Sequence, residues 1–137
     1  GKIAVIGGGL VGAETAEFLA NQGADVSIIE MTDKIANGES PTVLPEMKAD
    51  FAEHGVKEFV NCKVIKITEK EVVCENTSDG KIITVPADFV AVAVGAKPEV
   101  IDLTGVKANV SYCGDCVKPS DISHAVRSAY DVANAIN

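Results

Sequence analysis

The hydrophobic pattern of the first 30 residues changes its period twice, and these changes predict a strand, a helix and a second strand. Ile3 to Ile6 form an unbroken apolar run, which is typical of a parallel strand covered on both faces. From Leu10 to Asn21 the apolar residues recur at helical spacing. Gly23 ends this helix, and Val26 to Ile29 form the second apolar run. This order predicts an α/β layered fold built on a parallel sheet.

A polar stretch with Gly38 and two prolines follows the second strand. We predict that residues 31 to 47 form a loop, whose mobility matters for ligand entry, and then enter a second helix. Pro45 suits an early helical position, and Gly55 ends the helix. Residues 56 to 60 would be the third parallel strand.

The pattern then changes to three short strands within residues 62 to 85. The turn-like pairs Glu69-Lys70 and Asp79-Gly80 separate them, which predicts an antiparallel meander instead of a crossover helix. Residues 89 to 94 form a fourth buried strand. We therefore predict a Rossmann-like, doubly wound parallel sheet of order 3-2-1-4, with the three-stranded meander as its last crossover.

The last part of the chain is less regular. The composition of residues 99 to 109 indicates a linker. Residues 110 to 113 are predicted to form a short strand that could pair with the strand at 89 to 94. A final helix is predicted from about Ser120 or Asp121 to Ile136, because apolar residues recur on one side of it.

Composition narrows the functional classes. A length of 137 residues indicates one domain, or one domain with an appendage, and the 47% hydrophobic content without Trp indicates an aliphatic core. The net charge of -8 argues against partners such as nucleic acid or an anionic membrane, because both require clustered basic residues. With no apolar run of membrane-spanning length and no leader pattern, we expect a cytoplasmic protein.

The first strand-to-helix turn carries the main candidate chemistry. Gly7, Gly9 and Gly12 have the G-x-G-x-x-G spacing, in which the glycines permit a tight turn, approach of a pyrophosphate and close helix packing. The helix N-terminus that follows favours an anion. Glu30 stands 18 residues after Gly12, near the spacing at which an acid accepts hydrogen bonds from a ribose diol and repels a 2′-phosphate. NADH is therefore favoured over NADPH, although a glycine turn by itself is also typical of ordinary strand-to-helix connections.

The cysteines and histidines give weaker signals. Four cysteines in an intracellular type of sequence are expected to be free thiols. Cys113 and Cys116 form a C-x-x-C pair, which could be redox active or could simply flank a Gly-Asp turn. His54 and His124 have no partner at a metal-ligand spacing, so we predict no metal site.

Taken together, VIGGGLVGAETA, Glu30, the meander, DFVAVAVGAKP and YCGDCVKPSDISHAV resemble the nicotinamide-binding half of the flavin-dependent pyridine nucleotide oxidoreductases. Within them the chain looks most like the C-terminal part of the 2,4-dienoyl-CoA reductase and enoate reductase group, NADH:flavin oxidoreductases related to old yellow enzyme. In that family an NAD(P)H domain is inserted into an FAD domain. The resemblance implies an NAD(H)-binding domain at residues 1 to 100 and a return segment of the FAD domain at 101 to 137.

The resemblance also implies roles for single residues, but no catalytic residue. Gly7, Gly9 and Gly12 would hold the pyrophosphate, and Glu30 would hold the adenine-side ribose. Glu14 would lie close to the nicotinamide end, and Gly95 would border the same dinucleotide. Gly114 and Asp115 would contact the flavin. The family's first FAD motif, its FMN barrel and its iron-sulfur cysteines do not occur in this sequence. We therefore expect the partner to be the remainder of a flavoenzyme chain, and the fragment to bind NADH without turning it over.

Two other classes remain open on the sequence. A regulatory NAD-sensing module has the same glycine turn and acid, but the meander and the Gly114-Asp115 turn are not expected in it. A structural domain with vestigial binding is the third possibility. Measuring NADH binding separates that class from the other two.

Overall fold

The computed structural model describes residues 1 to 136, which divide into two units, Gly1–Gly95 and a second that begins at Ala96. The first unit contains β1 (Lys2–Ile6), α1 (Leu10–Asn21), β2 (Asp25–Ile29), α2 (Leu44–Glu53), β3 (Lys57–Phe59), β4 (Cys62–Ile67), β5 (Glu71–Asn76), β6 (Ile82–Pro86) and β7 (Phe89–Val92). The second contains a 3₁₀ turn (Gly114–Cys116) and α3 (Ile122–Ala135).

Four parallel strands form the central sheet of the first unit, in the order β3-β2-β1-β7. This confirms the predicted order 3-2-1-4. Ile6 is in register with Ile29 on one side and with Val92 on the other, and Ile29 is in register with Phe59. The chain segments that follow these four residues therefore leave the sheet at one edge, where ligands bind in open α/β sheets.

Both faces of the two central strands, β1 and β2, are buried, which explains their unbroken apolar runs. Val5 and Ile28 lie in a cluster beneath α1 and α2, whereas Ala4 and Ile29 lie in a second cluster beneath the meander. Because successive strand residues point to opposite faces, a strand covered on both sides has no polar alternation.

The strand predicted at residues 89 to 94 is shorter and is not buried. β7 lies at the edge of the sheet with one neighbouring strand, ends two residues earlier, and Phe89 is 67% exposed.

The meander is antiparallel in the order β4-β5-β6, as predicted. A register shift between Val64 and Lys66 accounts for the imperfect alternation of β4. β6 continues through Pro86, one residue further than predicted. Pro86 is tolerated because β6 pairs on one side only, so its missing N–H removes no ladder bond.

One predicted element of the second unit is wrong. Residues 110 to 113 form no strand, and Val110 and Tyr112 are 44% and 42% exposed. An extended segment becomes a strand only when a neighbouring strand supplies ladder hydrogen bonds. The final helix is confirmed, and the Asp121 carboxylate caps it by accepting a hydrogen bond from the His124 N–H at 2.8 Å.

Candidate functional site

The turn between β1 and α1 leaves no room for side chains at two of its glycines. Gly7 has φ +99°, and a Cβ on it would lie 2.3 Å from the Ala93 carbonyl oxygen. A Cβ on Gly12 would lie 1.8 Å from the carbonyl oxygen of Gly7. Gly7 thus brings the turn against the segment after β7, and Gly12 brings α1 against the turn. These contacts agree with the steric reasons expected from the glycine spacing.

Gly9 differs, because the space beside it is open. It is the N-cap of α1, and a Cβ on it would meet no atom of the described residues within 4 Å. A glycine has no side chain that could cap the first N–H groups of the helix, which lack partners within the helix itself. This end of α1 therefore offers hydrogen-bond donors, a positive dipole end and room for an anion.

The Glu30 carboxylate lies next to this turn. Its Oε2 accepts a hydrogen bond from the Gly8 N–H at 2.6 Å, and its Oε1 accepts one from the Thr32 N–H at 2.7 Å. Partial burial raises the pKa of Glu30, but the hydrogen bonds from Thr32 and Gly8 outweigh burial, so the pKa is lowered from its usual 4.5. Glu30 is therefore a charged, half-buried acid at the tip of β2 and not part of the apolar core.

Sequence reasoning missed Gly8. A Cβ on Gly8 would lie 2.6 Å from Ile35 Cδ1 and 2.8 Å from Glu30 Cβ, so this glycine lets the loop after β2 close over the turn. The Gly8 carbonyl accepts a hydrogen bond from the Ala36 N–H at 2.7 Å. Because Ile35 and Ala36 are buried in the core, the predicted mobile loop is anchored at its middle. The available signal was the run of three glycines from Gly7 to Gly9.

The other four predicted site residues are not part of the turn between β1 and α1. Gly95 follows β7 beyond the ligand edge of the sheet, and Glu14 is exposed on α1. Gly114 and Asp115 belong to the second unit, where the Gly114 N–H donates to Ser128 Oγ at 2.7 Å. The structure thus gathers Gly7, Gly9, Gly12 and Glu30 in one place, and the binding roles of all eight residues stay predictions.

Residues 1 to 136 include no group of three or more His, Cys, Asp or Glu placed to hold a metal ion. No helix in that range has the length and apolar character needed to cross a membrane. The four cysteines are free thiols, with Cys62 and Cys74 buried and Cys113 and Cys116 half-buried.

Comparison with known proteins connects this geometry to redox enzymes. The model of the family described as "Pyridine nucleotide-disulphide oxidoreductase" matches residues 1 to 129. A bilirubin reductase of Mediterraneibacter gnavus is 43% identical over 99% of this chain and 22% of its own length. A cinnamate reductase of Clostridium sporogenes is 30% identical over 98% of this chain and 21% of its own. The chain therefore spans about a fifth of these relatives.

A solved structure of a reductase contains a similar fold. A 2-naphthoyl-CoA reductase, in complex with 2-naphthoyl-CoA, superposes with a TM-score of 0.77 and 26% identity, over 99% of this chain and 21% of the other. The parallel sheet, its helices and the meander therefore occur together inside a much longer enzyme.

Proposed function

Because the chain belongs to the pyridine nucleotide-disulphide oxidoreductase family, we propose that it is the NADH-binding part of a longer flavin-dependent oxidoreductase. The family implies binding of NAD(P)H and FAD, and the similarity of longer reductases supports a redox role. The observation that carries the proposal is the Glu30 carboxylate bonded to the glycine turn beside an open helix N-terminus. The location of the protein in the cell stays a prediction, namely the cytoplasm.

The residues present fit a dinucleotide. The N–H groups at the start of α1 bind the pyrophosphate, and the open space beside Gly9 admits it. Gly7 and Gly12 keep the turn close to β7 and α1, so that these donors are fixed before the ligand arrives. When bound, NADH supplies the hydride and FAD accepts it. The protein's part is to bind and orient.

Glu30 favours NADH, the cofactor that carries no 2′-phosphate, over NADPH. Each of its oxygens already accepts one backbone N–H, and an ionised carboxylate has further lone pairs for a ribose diol. Because the lowered pKa keeps the group charged at neutral pH, a 2′-phosphate would meet a fixed negative charge. We therefore propose a preference for NADH over NADPH.

The remaining predicted roles complete the proposal. Glu14 lies close to the nicotinamide end, and Gly95 borders the dinucleotide. Gly114 and Asp115 contact FAD in the intact enzyme. The domains are then the NAD(H)-binding residues 1 to 100 and the FAD return segment 101 to 137. FMN and an iron-sulfur cluster belong to the remainder of the chain, as in the enoate reductase group that the sequence resembles.

For the intact enzyme we propose reduction of an enoate or a dienoyl-CoA type of substrate. The cinnamate reductase and the 2-naphthoyl-CoA reductase support this class by their names. The bilirubin reductase shows that a similar segment also occurs in an enzyme for a very different substrate. Assays of the full-length enzyme should therefore compare cinnamate, a 2,4-dienoyl-CoA and bilirubin under one set of conditions. Reduction of bilirubin alone would reject the proposed substrate class.

The binding proposal is tested by calorimetric titration of the 137-residue chain with NADH and with NADPH. We expect NADH to bind more tightly, and the chain to leave NADH unoxidised when a dye is added without flavin. Equal binding of both cofactors would contradict the role of Glu30. A complete lack of binding would contradict the dinucleotide site, and rapid NADH oxidation would contradict the need for flavin.

A further inference from the structure

Cys113 and Cys116 stand at the two ends of one helical turn. Gly114 to Cys116 form a 3₁₀ turn, and Cys113 is its N-cap, with extended backbone at φ −149° and ψ 166°. Gly114, between them, has φ +70°, a left-handed conformation that turns the chain back sharply. The Val117 N–H donates to the Gly114 carbonyl oxygen at 3.0 Å and closes the turn. The two cysteines are therefore neighbours across one tight turn.

The side chain of Cys116 is turned toward Cys113. Its Sγ donates a hydrogen bond to the Cys113 carbonyl oxygen at 3.0 Å. Both residues are half-buried, so a small molecule can reach them from solvent. The turn itself is held from its other side, because the Gly114 N–H donates to Ser128 Oγ on α3 at 2.7 Å.

The other two cysteines have the opposite environment. Cys62 and Cys74 lie in the core under the meander, at 3% and 0% exposure. Burial, with a smaller contribution from Cys62, raises the pKa of Cys74 to about 11. Thiols of this kind are largely protonated and shielded, so they react slowly.

We propose that Cys113 and Cys116 form a reversible disulfide across the Gly114-Asp115 turn, in exchange with a low-molecular-weight disulfide. One thiolate attacks the small disulfide, forms a mixed disulfide with the protein and releases one small thiol. The second cysteine then displaces the other small thiol. The protein loses two protons and two electrons, and the small disulfide is reduced to two thiols. The hydrogen bond from Cys116 to the Cys113 carbonyl is lost, and the turn is closed covalently.

This proposal does not depend on dinucleotide binding. To test it, the folded chain is equilibrated with mixtures of reduced and oxidised glutathione, quenched with acid and alkylated. Peptide mass spectrometry then reports the state of each cysteine. As the oxidised share rises, we expect Cys113 and Cys116 to lose alkylation together and to appear in one peptide that is two hydrogen atoms lighter. Added dithiothreitol should restore both thiols.

The variants Cys113→Ser and Cys116→Ser separate this bond from other oxidation products. Each should stop at a mixed disulfide with glutathione on the cysteine that remains. The double variant Cys62→Ser and Cys74→Ser is the matched control, and after its fold is checked by circular dichroism it should still form the disulfide. Alkylation of Cys113 and Cys116 in every mixture would overturn the proposal. So would a stable mixed disulfide in the unchanged chain, or oxidation of the buried pair instead.

Discussion

The Glu30 carboxylate accepts a hydrogen bond from the Gly8 N–H at 2.6 Å, so the acid at the tip of β2 is bonded directly to the turn after β1. The two residues are 22 positions apart, and the absence of a Cβ on Gly8 permits the contact. The proposed ribose ligand and the proposed phosphate turn are therefore positioned relative to each other before any ligand binds. Such preorganisation reduces the entropy cost of binding.

Replacement of Glu30 by glutamine should weaken NADH binding. Glu30→Gln keeps the shape of the side chain but removes its charge and replaces one of its two acceptor oxygens by an NH₂ donor. We therefore expect a Kd about tenfold higher, or roughly 1.4 kcal/mol. Isothermal titration calorimetry measures this. Asp33→Asn is the matched control, because Asp33 is an exposed acid of the same loop. An equal loss in both variants would show a general charge effect.

The contribution of Glu30 to stability should depend on pH. Its folded-state pKa is lowered from 4.5, so its stabilising effect is present above that value and is lost as pH falls through the folded-state pKa. The difference in unfolding free energy between the unchanged chain and Glu30→Gln should therefore be larger at pH 7 than at pH 3. Urea unfolding at both pH values measures it. A difference that does not change with pH would contradict the ionic role of the carboxylate.

Substitutions at two glycines of the turn should have different effects, one mainly on stability and the other mainly on NADH binding. Gly12→Ala places a Cβ 1.8 Å from the Gly7 carbonyl oxygen, and we expect a loss of more than about 3 kcal/mol of stability. Gly9→Ala meets open space and an ordinary φ of −66°, so its cost in stability should be below about 1 kcal/mol. Gly9→Ala should nevertheless weaken NADH binding. Thermal unfolding and calorimetry distinguish the two, and unchanged NADH affinity in Gly9→Ala would reject the phosphate site.

Neutralising Glu17 should stabilise the first unit at neutral pH. Burial raises the pKa of the Glu17 carboxyl, and the neighbouring Asp50 raises it further. An acid with a raised folded-state pKa destabilises the fold as pH rises through that pKa, because its charge is disfavoured there. Glu17→Gln should therefore raise the free energy of unfolding by about 0.5 kcal/mol at pH 7. This gain should disappear at acidic pH, where Glu17 is protonated. Thermal unfolding tests it, with the exposed Glu69→Gln as control, and equal gains in both variants would contradict the local cause.

The sequence alone determined the architecture of the first unit. The apolar runs of β1 and β2, the helical spacing of residues 10 to 21 and the turn at Asp79-Gly80 predicted the parallel sheet, its order and the meander. These signals are local, because a strand or a helix shows its period within a few residues. The glycine spacing likewise predicted that Gly7 and Gly12 must lack a side chain, but it did not identify Gly8.

Only the tertiary structure decided how the site is joined together. The bond from Gly8 to Glu30, the anchoring of Ile35 and Ala36 over the turn, and the lack of a strand at residues 110 to 113 all depend on partners distant in the chain. A pattern of apolar and polar residues shows which face of an element is buried. It does not show which backbone group a carboxylate reaches, or whether an extended segment has a neighbouring strand, because three-dimensional packing sets both.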